Sequence, residues 1–231
     1  LEHKEYAKAA AVLALSDQFE DAARIYSDRL DQPLHAAQLY DRAGDAMRAA
    51  RQYEQAGQKE QALDQWRAVG KIEAVVRVLQ ELGRPLEAAE ALEGAGQLLP
   101  AAELYDKVLE QPAKAADLYR QSGKPGRALA CYTKVRDFPN EISVLLELGR
   151  SEDAARRYEE VGEYVRAAEL YAKAERPALA AAMWAQQGEH RKAAELYEKV
   201  GELAEAATQY EQARAWQEAA GLYLDLDQPA Q

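Results

Sequence analysis

Apolar and polar residues alternate along this chain with a short, strict period. Taking a large apolar or aromatic residue as the mark of each unit, marks fall at Leu13, Tyr26, Tyr40, Tyr53, Trp66, Leu79, Leu92, Tyr105, Tyr119, Tyr132, Leu145, Tyr158, Tyr171, Trp184, Tyr197, Tyr210 and Tyr223. Fourteen of the sixteen intervals are 13 residues and two are 14, the extra residues entering at Leu30-Asp31-Gln32-Pro33 and Leu109-Glu110-Gln111-Pro112. Within a unit the apolar or small positions lie at −7, −4, −3, 0 and +3 from the mark, often with −1. That spacing is the stripe of a helix buried on one side. Position −4 is Ala in fifteen of the seventeen units, Val75 and Glu141 being the exceptions, and position −3 is Ala in thirteen. Two methyl-sized residues side by side let a neighbouring helix come close, and the ring at the mark covers the gap.

Punctuation follows the same period. Ten of the thirteen glycines stand at +4, where a left-handed residue ends a helix without a Cβ clash. Five of the eight prolines (Pro33, Pro85, Pro112, Pro125, Pro177) stand at −7, in the first turn, where a missing N–H costs least. This predicts helices of about eleven residues joined by links of two or three. N-capping is sparse, because position −8 is Asp only at Asp45 and Asp137. A helix of this length is marginal alone in water, so each unit must lean on its neighbours. Short links make consecutive helices antiparallel. The expected fold is all-α: an α-solenoid of about seventeen short antiparallel helices, arranged as 26-residue hairpins and wound as a right-handed superhelix. One repeat domain is expected over residues 1–231. The chain opens at Leu1, and Pro229 falls where an eighteenth helix would begin, so a piece of a longer array is expected.

The run from Gly162 to Ala174 carries Gly162, Tyr164, Ala167, Tyr171 and Ala174 at the spacing of a tetratricopeptide repeat's second helix. The chain resembles the short-helix, tetratricopeptide-like arrays of coat-complex and intraflagellar transport proteins, and more distantly the soluble NSF attachment proteins. The resemblance covers nearly all of the sequence and implies a protein-interaction scaffold. The usual unit is about 34 residues, and this departure in period means that no binding residue is carried over.

Composition narrows the function further. The chain has 29 basic and 40 acidic residues, a net charge of −11, with neither half polarised. That disfavours nucleic acid and anionic membrane as partners and favours a basic protein or peptide. No apolar run approaches a membrane span, and no signal peptide opens the chain, so no membrane insertion and a cytoplasmic location are expected. The single Cys131 excludes an internal disulfide, and its −1 position favours a buried thiol. His3, His35 and His190 lie in separate units, so no metal is expected, and no cofactor motif occurs. All eighteen aromatics stand at the mark or at −7. An aromatic ladder could hold a ligand, but confinement to the packing positions favours rings that pack and send their OH or NH groups to the rim. Glu159-Glu160, and Glu202 with Glu205, read as solvated helix faces in preference to acid–base pairs. No enzyme activity is expected.

Two places break the pattern. Phe138 to Leu146 puts Glu141 where Ala is expected and Leu146 at a usually polar position. Leu92 to Pro100 adds Gly94 in a last turn, followed by Pro100 in the next helix. A local bend or change of pitch is the favoured reading; the functional one is a contact site, with Glu141, Leu146, Leu222 and Leu224 as candidate contact residues. The function expected is a protein- or peptide-binding scaffold. The alternatives are a ligand- or peptide-sensing module relaying to a fused effector, and a passive spacer. The sequence leaves oligomeric state open.

Overall fold

A computed structural model describes residues 2–226 of the chain. Pro229, expected to begin an eighteenth helix, lies outside the described residues. Contacts divide the chain into two compact blocks, Leu1–Ser122 and Gly123–Gln231. The first holds α1 (Glu2–Leu15), α2 (Phe19–Asp28), α3 (Pro33–Arg42), α4 (Ala46–Gln55), α5 (Lys59–Ala68), α6 (Ile72–Glu81), α7 (Pro85–Gly94), α8 (Leu98–Lys107) and α9 (Pro112–Gln121). The second holds α10 (Pro125–Val135), α11 (Phe138–Glu147), α12 (Ser151–Glu160), α13 (Tyr164–Lys173), α14 (Pro177–Gln186), α15 (His190–Val200), α16 (Leu203–Gln212) and α17 (Trp216–Leu226). No strand occurs among the described residues. Within each block every helix packs against the helices before and after it in sequence.

Most helices are 10 residues long, one fewer than the punctuation predicts, because the closing turn uses more of the link. After Tyr40 the N–H of Gly44 donates to Asp41 O (3.0 Å) and that of Asp45 to Tyr40 O (2.9 Å). This is the Schellman pair of bonds, and it needs a left-handed residue at +4. Gly44 supplies it at φ 78°. The bonding residue Asp45 is itself the N-cap of α4, its side chain accepting from Arg48 N–H, so one residue closes one helix and opens the next. Asp137 caps α11 in the same way through Asn140 N–H. The other N-caps for which the helix geometry is described make no side-chain cap bond. The five prolines at −7 all sit in a first turn.

The alanine pair divides its work between neighbours. Interior helices bury both alanines completely, as at Ala167 and Ala168. In α1, which has a neighbour only after it, Ala10 is buried and Ala9 is exposed. In α17, whose described neighbour in sequence is the preceding α16, Ala219 is buried and Ala220 is exposed. Position −4 therefore faces the preceding helix and −3 the following one. Within the blocks, backbones approach less closely at α5–α6, α10–α11 and α11–α12 than at the other neighbouring pairs. Those pairs contain the two helices without Ala at −4: α6, with Val75-Val76, and α11, with Glu141-Ile142. Larger side chains at the contact hold the helix axes apart.

Candidate docking surfaces

Many surface polar groups bond within the protein. The aromatic at a mark repeatedly bonds the Glu one residue past the preceding mark. Trp66 Nε1–H donates to Glu54 at 2.8 Å, Tyr105 OH to Glu93 at 3.1 Å, Tyr171 OH to Glu159 at 2.8 Å and Tyr210 OH to Glu198 at 2.9 Å. Burial of the ring, then the bond to the carboxylate, pushes each of the three phenols up to about 12. The rings pack and their polar tips reach the rim, as the sequence predicts. A second set of contacts joins alternate helices: Arg48 to Glu20 (3.4 Å), Arg77 to Glu54 (2.6 Å), Arg84 to Glu60 (3.0 Å), Lys114 to Glu93 (2.9 Å) and Arg176 to Glu152 (3.0 Å). Exposed pairs like these stabilise little singly, so their main effect is to satisfy the surface charges.

At the first irregular place, Glu141 is buried, with its side chain only 4% exposed. From α11 it bridges α10 and α12. Arg157 Nε donates to Glu141 Oε1 at 2.8 Å. Thr133 Oγ1 lies 2.9 Å from both Glu141 Oε1 and Leu129 O, and its single proton favours the charged acceptor. Burying a carboxylate is costly unless it is paired, and this pairing holds it. Arg157 also grips Glu160, at 2.7 and 2.8 Å; that bond is the main cause raising its pKa above the ordinary value, with Glu141 adding to it. A cleft of about 330 Å³ opens beside this group, its mouth carrying Arg150, Asp153 and Arg156. Those charges are also engaged, Arg150 with Asp153 at 2.7 Å and Arg156 with Asp153 at 3.4 Å. Glu152 nearby is held below the usual carboxylate range by Arg176 first and Arg156 second. The cleft is polar, and its charges are paired within the protein.

The second irregular place is different in chemistry. Between α6 and α8, over α7, lies an open groove of about 430 Å³. Val76, Leu92, Leu104, Pro100 and Val108 give it an apolar lining, and Glu73, Gln80, Gln97, Glu103 and Lys107 surround them. Val108 is 55% exposed.

The candidate contact residues separate on the structure. Leu146 is 41% and Leu224 68% exposed, so both are available to a partner. Leu222 is not: it is 8% exposed and packs with Tyr210 and Ala219. The expectation of an exposed Leu222 is corrected, because −1 belongs to the face packed on the preceding helix. Tyr223, at the mark, takes the open side and is 41% exposed. Glu141 is enclosed by Arg157 and Thr133. No pairing signal in the sequence singled out Arg157, which lies 16 residues away from Glu141. Sequence reasoning also passed over Val76, Leu104 and Glu73, although Val75 and Pro100 on the same helices broke the pattern. Cys131 is buried. No described helix is long and apolar enough to cross a membrane.

Among solved structures, the tetratricopeptide domain of P58(IPK) is 15% identical, with 99% of this chain and 100% of that one covered and a TM-score of 0.24. BtubC (BKLC) from P. vanneervenii is 17% identical, with 100% and 92% covered and a TM-score of 0.16. No curated protein matches. The family model described as "Soluble NSF attachment protein, SNAP" matches residues 2–171. With that match spanning most of a chain built throughout from short paired helices, the protein belongs to the soluble NSF attachment protein family.

Proposed function

We propose that the protein is a protein- or peptide-binding scaffold with no catalytic step of its own, its partners basic proteins and not nucleic acid. One observation carries the reading. The helix positions that define the fold are filled by buried Ala and aromatic residues. The outward positions vary from helix to helix and leave an apolar groove open at α6–α8. Membership in a family of attachment proteins supports the same role. An excess of acidic residues, net −11, steers basic partners toward the surface and repels phosphate backbones. A cytoplasmic site of action accords with this reading.

Affinity capture from a lysate of the source organism, with mass-spectrometric identification, tests the proposal at low and at moderate salt. A reproducible set of partners that thins as salt rises is the expected result. Beads that stay empty under both conditions overturn the scaffold reading. A retained set dominated by nucleic acid overturns the choice of partner.

A further inference from the structure

Glu73 is a carboxylate whose counterparts elsewhere in the array each hold an arginine. Glu20, Glu60 and Glu152 stand six residues before the marks of α2, α5 and α12, as Glu73 does in α6. Each of the three receives a guanidinium from the alternate helix, Arg48 from −5 or Arg84 and Arg176 from −8. At α8 those two places are Pro100 and Gln97, neither of which carries a charge. Both line the groove. Among the described residues no ion pair is made by Glu73. The repeat thus leaves out a cation at a junction where it also opens an apolar trough.

We propose that this groove docks a segment of a partner protein that seats a large apolar side chain between Val76, Leu104 and Val108 and sets a Lys or Arg against Glu73. A volume of about 430 Å³ suits one or two such side chains. Apolar burial supplies the attraction, and the partner's cation replaces the arginine that the repeat places there elsewhere. Lys107, on the other side of the trough, disfavours a second basic residue there and so gives the segment a direction. The inference rests on the protein-binding reading and names the site and chemistry of the partner.

The test selects short random peptides displayed on phage against the whole chain, then measures the enriched sequences as synthetic peptides. Enriched peptides should pair Leu, Ile, Met or Phe with Lys or Arg within one helical turn. Glu73→Lys should weaken them by about fivefold or more, and Val108→Glu should remove binding. Both positions are exposed, so circular dichroism should show the fold retained. Glu169→Lys, in the other block, should change nothing. Peptides without that pairing, peptides indifferent to both variants, or no enrichment at all would each overturn the groove assignment. So would self-association abolished by Val108→Glu, which would make the occupant a second copy. Lysate partners captured equally by the two variants would sink the groove and leave the scaffold reading standing. Empty beads in that capture, with peptides still bound at the groove, would do the reverse.

Discussion

At the scale of single residues, the backbone at +4 decides how well each helix ends. Gly supplies the left-handed position ten times, but Asp17, Asp31, Glu110, Arg136, Glu175 and Arg214 occupy the corresponding places with φ between 51° and 59°. A side chain there carries strain of about 1 kcal/mol. Glu175→Gly should therefore raise the urea midpoint by the equivalent of about 1 kcal/mol. Gly162→Ala, at φ 78° with no atom near its missing Cβ, should lower it by a similar amount. An unchanged midpoint in both would mean that the link relaxes. Tyrosine gives a pH effect whose sign is fixed. Tyr105, Tyr171 and Tyr210 hold their protons to about 12 in the folded chain, against about 10 when unfolded. Their contribution is complete below pH 10 and is lost as pH climbs from about 10 to about 12, where the unfolded chain has released more protons. Alkaline titration followed by circular dichroism should show this loss, and Tyr171→Phe should make it shallower.

At the scale of the helix, capping and approach distance are the two variables. Only Asp45 and Asp137 make side-chain caps among the N-caps described. Asp45→Ala should cost about 1 kcal/mol, and Gln58→Asp should gain up to about that amount by adding the same bond at α5. Chemical unfolding of the two variants checks both signs. Helices with Ala at −4 and −3 approach their neighbours closely, while α11 substitutes Glu141-Ile142, and Glu141 is held to α12 by the Arg157 ion pair and to α10 by the Thr133 hydroxyl. That exchange replaces non-directional packing with a bond that depends on Arg157 staying in place. Amide exchange should accordingly be faster in α11 and α12 than in α13 and α14, whose contacts are the closer. Equal protection across the four would show that the Glu141 bridge compensates fully.

For the whole molecule, neighbour-to-neighbour packing within each block leaves outward positions free to vary at little cost to the fold. This freedom suits an interaction protein, because specificity can change while the alanines and rings stay. Charge acts at the same scale: with a net −11, partner capture should fall as ionic strength rises, and a salt-independent partner set would count against electrostatic steering. The two irregular stretches show why a broken pattern does not by itself reveal a role. Both are lined by residues that interrupt the alanine repeat. One interruption is neutralised where Arg157 pairs with the buried Glu141, and the other leaves Glu73 beside an apolar trough.

The sequence by itself determined the number of helices among the described residues, their boundaries to within a residue or two, the left-handed glycine that ends ten of them and the burial of the Ala and most aromatic positions. These are consequences of local geometry, and a short repeat states them seventeen times. Only the tertiary structure decided that Leu222 turns inward while Tyr223 stays open, that Arg157 reaches Glu141, and that Glu73 faces Pro100 and Gln97 across the groove. Such contacts join residues a full helix or more apart in sequence, as with the 16 positions between Glu141 and Arg157. They depend on where neighbouring and alternate helices place their side chains, and a 13-residue period read along one strand of text holds no record of that distance in space.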